Sequence, residues 1–261
     1  MKYKGLTLVE LIVVIAIIAV LIAITFPGLH TSRQYAKMVL CDSNIRQIVL
    51  GLSMYESENQ TFPFGLDSLK QEKVPIRFNT GDGNWYWINF LEGYLDRGRG
   101  NHQVACCPSK NMKNTSLRKK VLSGNYGVNQ SICTVASFRG TRPEFTGRPL
   151  CSSSVSSPSA ALLVADSGYG LINWWHVTEY PPGKLRKDQI ADTSYLPGME
   201  INERKQLWPG TEEDAIKGRH KNKSINVGFV DCHVENIEAN KLCVEKTQTG
   251  YKNRSPLWSP R

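Results

Sequence analysis

The first apolar stretch of the chain is long enough to cross a membrane. Every residue from Leu11 to Ile24 is apolar, and the wider stretch from Leu6 to Phe26 contains only three polar residues, Thr7, Glu10 and Thr25. At about 1.5 Å of rise per residue, a helix over this wider stretch spans roughly 30 Å, the thickness of a hydrocarbon core. The pattern therefore predicts one transmembrane helix over residues 6–26.

The positions after this stretch predict that the same helix continues outside the membrane. Apolar residues recur at steps of three to four, with charged and polar residues between them. These apolar residues are Leu29, Ala36, Leu40, Ile48, Leu52 and Tyr55. Pro27-Gly28 stands where the membrane should end and predicts a kink, not a stop. We expect an amphipathic half over residues 27–57, whose apolar side packs under a sheet.

Short apolar runs later in the chain predict strands. Ile225–Val230 and Val234–Ile237 flank Asp231-Cys232-His233 and predict a hairpin. A further strand is predicted at Ala160–Ala165, ending at Asp166.

Segments rich in Gly, Pro, Ser and Asn, such as 139–159 and 180–209, predict long loops between these strands. With 261 residues, 41% of them hydrophobic, the chain can form one medium-sized head with a core besides the helix. The expected fold class is α+β, in which the long helix packs on a mainly antiparallel sheet within a globular head over residues 58–261.

The N-terminal stretch has an alternative interpretation as an ordinary secretory signal peptide, with Lys2 and Lys4 as its basic region. The apolar run is longer than a typical signal core, no small-x-small cleavage site follows it, and Glu10 lies inside it. A carboxylate in lipid costs about 3 kcal/mol on insertion scales, so an ionisable residue in a membrane helix is a functional candidate. These features argue against the signal peptide.

The segment Lys4-Gly5-Leu6-Thr7-Leu8-Val9-Glu10-Leu11 resembles the prepilin peptidase signature of type IV pilins and type II secretion pseudopilins. In that family the basic leader stays cytoplasmic, the peptidase cuts after the glycine, and the new terminal amine is methylated. The resemblance implies a cleaved leader over residues 1–5, Leu6 as the methylated N-terminal residue, and Glu10 as the fifth residue of the mature chain. Leu6 departs from the commoner Phe.

The resemblance also implies a role for Glu10 in assembly. In the family this carboxylate meets the terminal amine of a neighbouring subunit as the helices pack in a filament. A buried charge is tolerated only when it is paired, so the pairing stabilises the correct register between subunits. The implied function is a structural subunit of a type IV pilus or a type II secretion-type pseudopilus.

The implied partners are prepilin peptidase, other pilin or pseudopilin subunits, the inner-membrane assembly machinery and the lipid bilayer. Lys2 and Lys4 favour a cytoplasmic N-terminus, although Arg33, Lys37 and Arg46 flank the other end of the apolar stretch. We expect a single-pass inner-membrane protein whose head is exported to the periplasm or the cell surface.

The competing function is a membrane-anchored surface protein whose head binds polysaccharide or another protein. Trp174-Trp175-His176 is a candidate platform for such binding, but aromatic residues of this kind are more often core or loop anchors. We expect no nucleic-acid partner, because the basic residues behind the net charge of +9 are scattered along the chain. The sequence contains no Gly-x-Ser-x-Gly, Walker or zincin motif, so we expect no catalytic residues and no enzyme.

Motifs along the rest of the chain resemble a large pilin-like family whose enlarged head ends in a His, about nine residues, and then Asp-Gly. The matching segments are Cys41–Ile48, Trp85–Trp87, Cys107–Ser109, Asn125–Asn129, Pro158–Asp166 and Arg219–Val234. The interval from His220 to Asp231 is one residue longer than in the family, and Cys232 replaces the glycine. Since glycine suits a turn with positive φ, we expect a bulged or differently shaped hairpin.

His220, Asp231, His233 and Asp166 suggest a metal or catalytic site at the ends of neighbouring strands. Their spacing matches no recognised zinc or calcium loop. We therefore expect the C-terminal motif, which also includes Cys232, to be a structural turn held by hydrogen bonds, without a cofactor. Calcium is the alternative, because major type II pseudopilins bind it in their C-terminal loops, but no ligand can be assigned here.

Seven cysteines without a Cys-x-x-Cys pair indicate an oxidising compartment, and the odd number leaves at least one thiol unpaired within the chain. Cys41 and Cys107 stand where both family motifs carry cysteine. The resemblance therefore makes a disulfide between Cys41 and Cys107 the first candidate. Two weaker candidate pairs are Cys133 with Cys151, and Cys232 with Cys243.

Overall fold

The computed structural model describes residues 7–70, 72, 83–95, 102–136, 142–180 and 194–260. The side chains of Pro27, His30, His102 and Gln103 are not part of this description. Gly5 and Leu6, and with them the predicted cleavage junction, lie outside the described residues.

A single helix, α1, runs from Leu8 to Asn59. Its 52 residues correspond to a length of about 78 Å, so α1 is far longer than a bilayer is thick. Thr7 caps its N-terminus, and Gln60 ends it in a left-handed conformation with φ of 65°. The helix passes through Pro27 without a stop, as predicted from the sequence.

The surroundings of α1 change at Cys41, its first buried residue. All side chains from Leu8 to Phe26 are exposed, and this part of α1 is long and apolar enough to cross a membrane. Ile48 and Leu52 are fully buried, as expected for the predicted apolar side.

The expectation for the first part of that side was wrong. Leu29 and Leu40 are 52% and 57% exposed, and Ala36 is also exposed. The physical reason is that, among the described side chains, the head buries those of α1 only from Cys41 onwards. Before Cys41 its contacts with α1 are polar and peripheral, such as that of Lys221 with the hydroxyl of Tyr35.

The head contains a five-stranded sheet with the strand order β5-β3-β4-β6-β7. All neighbouring strands in it are antiparallel except β3 and β5. The strands in chain order are Leu66–Asp67 (β1), Trp85–Tyr86 (β2), Tyr126–Asn129 (β3), Leu162–Asp166 (β4), Leu171–Ile172 (β5), Ser224–Phe229 (β6), Val234–Glu238 (β7), Glu245–Lys246 (β8) and Tyr251–Lys252 (β9). β1 pairs with β2, and β8 with β9, as separate two-stranded sheets. The α+β class, the predicted hairpin and the predicted strand before Asp166 are thereby confirmed.

Short helices connect the strands. The α-helices are Trp87–Phe90 (α2), Thr115–Arg118 (α3) and Glu212–Lys217 (α4), and the 3-10 turns are His102–Ala105, Pro143–Phe145, Ser152–Ser154, Trp174–Val177, Glu200–Arg204, Lys221–Lys223 and Ala239–Leu242. The described parts of the predicted loops 139–159 and 180–209 contain only such 3-10 turns and no strand.

Both faces of the five-stranded sheet are covered at its central strands, so β4 and β6 are buried along their whole length, whereas the edge strand β7 is largely exposed. Ile225, Val227 and Phe229 of β6 pack in an apolar cluster on the face away from α1. On the other face Gly228 lets α1 approach closely, since a Cβ there would lie 2.3 Å from Val49 Cγ2. The helix is therefore held against the sheet at a position without a side chain.

Candidate functional site

Four buried side chains meet where α1 lies on the sheet. Cys41 comes from α1, Cys107 from the segment after the His102–Ala105 turn, Asp166 from the end of β4, and His220 from the segment between α4 and β6. Their potential ligand atoms all lie within 4.8 Å of one another. We call these four residues the Cys-Asp-His cluster.

Hydrogen bonds of this cluster connect the helix to the strand. Cys41 Sγ lies 3.5 Å from Cys107 Sγ and 3.1 Å from Asp166 Oδ1. His220 Nε2 lies 3.1 Å from Asp166 Oδ2, which also accepts a 2.8 Å hydrogen bond from the backbone N–H of Asn226. Asp166 is thus the central residue of the cluster, with one oxygen toward the cysteine and the other toward the histidine.

A buried arginine lies next to the cluster. Arg219 donates hydrogen bonds from Nε and Nη2 to the carboxylate of Asp214, at 2.7 to 3.0 Å. It also donates to the carbonyl oxygens of Asn125 and Ser167, both at 2.8 Å. Arg219 Nη1 lies 3.8 Å from Asp166 Oδ1. This guanidinium therefore holds three segments together while placing a positive charge beside the cluster.

The buried charges shift the ionisation of the cluster. Burial opposes ionisation of Asp166, but the charges of His220 and Arg219 outweigh it and lower the pKa of this carboxyl group. Burial likewise disfavours the charged form of His220, but Asp166 raises the pKa of this imidazole to about 10. Asp166 and His220 therefore form a charged pair at neutral pH.

The two cysteines are affected in opposite directions. Burial raises the pKa of Cys41 well above its usual value, and the hydrogen bond with Cys107 adds to this effect. Burial opposes ionisation of Cys107 as well, but hydrogen bonds from Cys41 and His220 outweigh it and lower the pKa of this thiol to about 6. The cluster therefore favours a thiolate at Cys107 that is hydrogen-bonded by the thiol of Cys41.

The residues that the sequence suggested as a metal or catalytic site separate into two pairs. Asp166 and His220 lie in the buried cluster, whereas Asp231 and His233 pair with each other, Oδ1 to Nδ1 at 2.5 Å, in the partly exposed turn between β6 and β7. The sequence hypothesis did not place Cys41 and Cys107 with this site. No local motif could have indicated the combination, because Cys41 and Asp166 are 125 residues apart.

The turn of the C-terminal motif contains a strained cysteine. The β6–β7 ladder runs in continuous register from Ser224↔Glu238 to Gly228↔Val234, without the bulge that was expected as one possibility. Cys232, which stands at the glycine position of the family motif, has a φ of 72° and donates its backbone N–H to the carbonyl oxygen of Phe229. The turn keeps the conformation that glycine suits, and Cys232 adopts it at a steric cost.

The tryptophan pair lies in the core. Trp174 and Trp175 are 1% and 7% exposed, and both indole N–H groups donate to the carboxylate of Glu144. Arg142 and Arg254 lie over the two rings. The interpretation of these residues as core anchors is confirmed, and they offer little surface to a carbohydrate or a partner.

Glu10 takes part in the cap at the start of α1. Its carboxylate accepts hydrogen bonds from the backbone N–H and the hydroxyl group of Thr7, at 2.8 and 2.7 Å. The Thr7 hydroxyl in turn accepts a hydrogen bond from the Glu10 backbone N–H. This reciprocal capping box gives the carboxylate partners within its own chain.

The N-terminal region of the chain matches a known family. Residues 1–26 match the family described as the prokaryotic N-terminal methylation motif. Type II secretion system core protein G of Pseudomonas aeruginosa is 29% identical over 99 residues, which are 37% of this chain and 65% of that protein. The chain is therefore similar to pilins and pseudopilins, with the methylation motif at its N-terminus.

Two further relatives of this pilin-like chain match over shorter stretches. Competence protein ComGC of Halalkalibacterium halodurans is 29% identical over 68 residues, 26% of this chain and 67% of that protein. The type IV wide pilus major component PilA4 of Thermus thermophilus is 37% identical over 59 residues, 23% of this chain and 45% of that protein. The matches thus span about half to two thirds of the relatives' own length, and no solved structure matches the chain significantly.

The exposed half of α1 contains the methylation motif's apolar stretch and is long and apolar enough to cross a membrane. The Cys-Asp-His cluster lies further along α1, where this helix enters the head.

Proposed function

We propose that the protein is a structural subunit of a type IV pilus or a type II secretion-type pseudopilus. Prepilin peptidase cuts the chain between Gly5 and Leu6, the new N-terminus is methylated, and the subunit assembles through α1 with other pilin or pseudopilin subunits. The observation that carries this proposal is the apolar surface of α1 that the head leaves uncovered on both sides of Pro27.

The part of α1 before Pro27 suits a membrane. Leu8 to Phe26 are 19 residues with exposed side chains, and as a helix they are about 28 Å long. We place this part in the inner membrane, with the leader in the cytoplasm and the head exported to the periplasm or the cell surface. Lys2 and Lys4 support this orientation through the positive-inside rule.

The part of α1 between Pro27 and Cys41 suits contacts between subunits. Its side chains lie outside the apolar stretch, yet Leu29, Val39 and Leu40 are each more than half exposed. Exposure of such apolar side chains to water is unfavourable, by about 25 cal/mol for each Å² of apolar surface. Packing against the helices of neighbouring subunits would remove this surface from water, and the inner-membrane assembly machinery would bring the subunits together.

Glu10 supports the same proposal. A carboxylate within the apolar part of α1 needs a partner, and Thr7 supplies two hydrogen bonds but no charge. In the filament, the methylated amine of a neighbouring subunit would supply the positive charge. Assembly would therefore complete the pairing that the capping box begins.

Imaging of filaments tests the proposal. The chain with an epitope after Pro260 is expressed in a cell with a working pilus or pseudopilus system, and sheared filaments are labelled with antibody. We expect labelled filaments that contain chains beginning at Leu6, and no labelled filaments for Gly5→Val, which should accumulate as the uncleaved precursor. Processed protein that stays dispersed in the membrane and never enters a filament would contradict the proposal.

A further inference from the structure

We propose that the Cys-Asp-His cluster binds one zinc ion through its four side chains. The ion would join α1 to three segments of the head. This site is separate from the apolar surface that the proposed assembly uses.

The spacing of the four side chains suits a tetrahedral ion. With metal–sulfur distances of about 2.3 Å and metal–nitrogen or metal–oxygen distances of about 2.0 to 2.2 Å, ligand atoms around zinc lie roughly 3.3 to 3.8 Å apart. The two sulfurs are 3.5 Å apart, and the contacts of Asp166 with Cys41 and with His220 are both 3.1 Å. Small rotations of the side chains would therefore bring all four atoms to bonding distance of one ion.

The types of ligand favour zinc over calcium. Two sulfurs and one imidazole nitrogen are ligands that zinc prefers, and aspartate oxygen completes known zinc sites. Calcium takes six to eight oxygen ligands, whereas this cluster contributes a single carboxylate. On binding, Cys41 loses its thiol proton and His220 loses its Nε2 proton, both to solvent. Cys107 binds as the thiolate, and His220 coordinates as the neutral ring through Nε2.

Two neighbouring groups hydrogen-bond to ligands of the cluster, as groups around metal sites do. The backbone N–H of Asn226 orients Asp166, and the hydroxyl of Tyr126 lies 3.4 Å from Cys41 Sγ as a hydrogen-bond donor. Two thiolates, one carboxylate and one zinc ion carry a net negative charge. The Arg219 guanidinium, 3.8 Å from Asp166, stabilises that charge.

A disulfide between Cys41 and Cys107 is the alternative use of the same sulfurs. It would require the sulfurs to move from 3.5 Å to about 2.0 Å apart and an oxidant to take two electrons and two protons from the thiols. It would involve only two of the four converging side chains. Zinc uses all four side chains, so the convergence of Asp166 and His220 on the sulfurs favours the metal.

Metal content and a cobalt spectrum test the proposal. The full chain is purified from membranes in mild detergent, without chelator or reductant, and zinc is measured by plasma mass spectrometry. We expect about one zinc per chain. After exchange of zinc for Co²⁺, we expect the absorption bands of tetrahedral cobalt together with sulfur-to-cobalt charge-transfer bands.

Two cysteine variants provide the comparison. Cys107→Ser should lose the zinc and the charge-transfer bands, whereas Cys106→Ser, at the exposed neighbouring cysteine, should keep both. Zinc-free wild-type protein in which a non-reducing digest links the peptides of Cys41 and Cys107 would overturn the proposal in favour of the disulfide. Equal zinc in both variants would show adventitious binding and would overturn it too. The wild-type measurements hold even if Cys107→Ser fails to fold.

Discussion

Cys41 Sγ on the long helix lies 3.1 Å from Asp166 Oδ1 at the end of a central strand, and both residues are fully buried. The contact joins residues 125 positions apart in the chain. It lies at the point where α1 passes from its exposed half into the packed head. An interaction between these residues therefore adds to the packing of Ile48 and Val49 in holding the head on α1.

Removal of zinc should destabilise the head. A ligand at 100 times its dissociation constant stabilises the folded state by about 2.7 kcal/mol. Removing the ion should therefore lower the Tm of a head of this size by roughly 5 to 10 °C. Thermal unfolding of the detergent-solubilised chain, followed by circular dichroism before and after chelation, measures this. Added Zn²⁺ should restore the Tm and added Ca²⁺ should not. An unchanged Tm after complete removal of zinc would show that the ion does not support the fold.

Gly228→Ala should weaken the packing of α1 on the sheet. The added Cβ would lie 2.3 Å from Val49 Cγ2, so the helix or the strand must move, at a cost of about 1 to 3 kcal/mol. Urea unfolding measures the loss, and Val49→Ala in the same chain should recover part of it by making room. Gly93→Ala is the matched control, because a Cβ there meets nothing within 4 Å. A loss that Val49→Ala does not reduce would mean that the contact is not the cause.

Cys232→Gly should be more stable than Cys232→Ala by about 1 kcal/mol, because only glycine adopts positive φ without steric cost. The native φ at this position is 72°. Both variants lose the Cys232 side chain, so comparing their urea midpoints isolates the effect of the backbone. If alanine were as stable as glycine, the turn would not hold the left-handed conformation in solution.

Changes at Glu10 should impair assembly more than membrane insertion. Glu10→Gln keeps a side chain that can accept from Thr7 but removes the charge, whereas Thr7→Ala keeps the charge and removes one cap partner. If the charge pairs with a neighbouring amine, Glu10→Gln should reduce filament incorporation strongly and Thr7→Ala only slightly. Incorporation is measured as the labelled fraction in sheared filaments, relative to the membrane pool. Normal filaments with Glu10→Ala would end the pairing model.

His176 should make the head sensitive to acid. Burial, helped by the charge of Lys205, lowers the pKa of this imidazole to about 3, against about 6.5 in an unfolded chain. Between pH of about 3 and about 6.5, the unfolded state binds the proton and the folded state does not. The contribution of His176 to stability is therefore fully present above pH of about 6.5. It is lost as the pH falls below this value, by about 1.4 kcal/mol for each pH unit.

His176→Gln should therefore lose less stability than the wild type between pH 7 and pH 5, by about 2 kcal/mol in urea unfolding. Equal losses in the wild type and in His176→Gln would mean that the imidazole is already open to water in the folded protein.

Features with a local or periodic signal were predictable from the amino-acid sequence. The apolar run from Leu11 to Ile24 indicated a helix able to cross a membrane. The motif around Gly5, together with Glu10, indicated the resemblance to pilins and pseudopilins. The two short apolar runs on either side of Asp231-Cys232-His233 indicated the hairpin. Each of these follows from neighbouring residues, because helix and strand geometry repeat over a few positions.

Two matters depended on how distant segments pack. The head buries described side chains of α1 only from Cys41 onwards, so Leu29 and Leu40 have the same periodicity as Ile48 but not its burial. The Cys-Asp-His cluster combines side chains from four segments that no spacing rule connects. Periodicity determines which side of a helix is apolar, whereas the course of the rest of the chain determines what covers that side and which polar groups become neighbours.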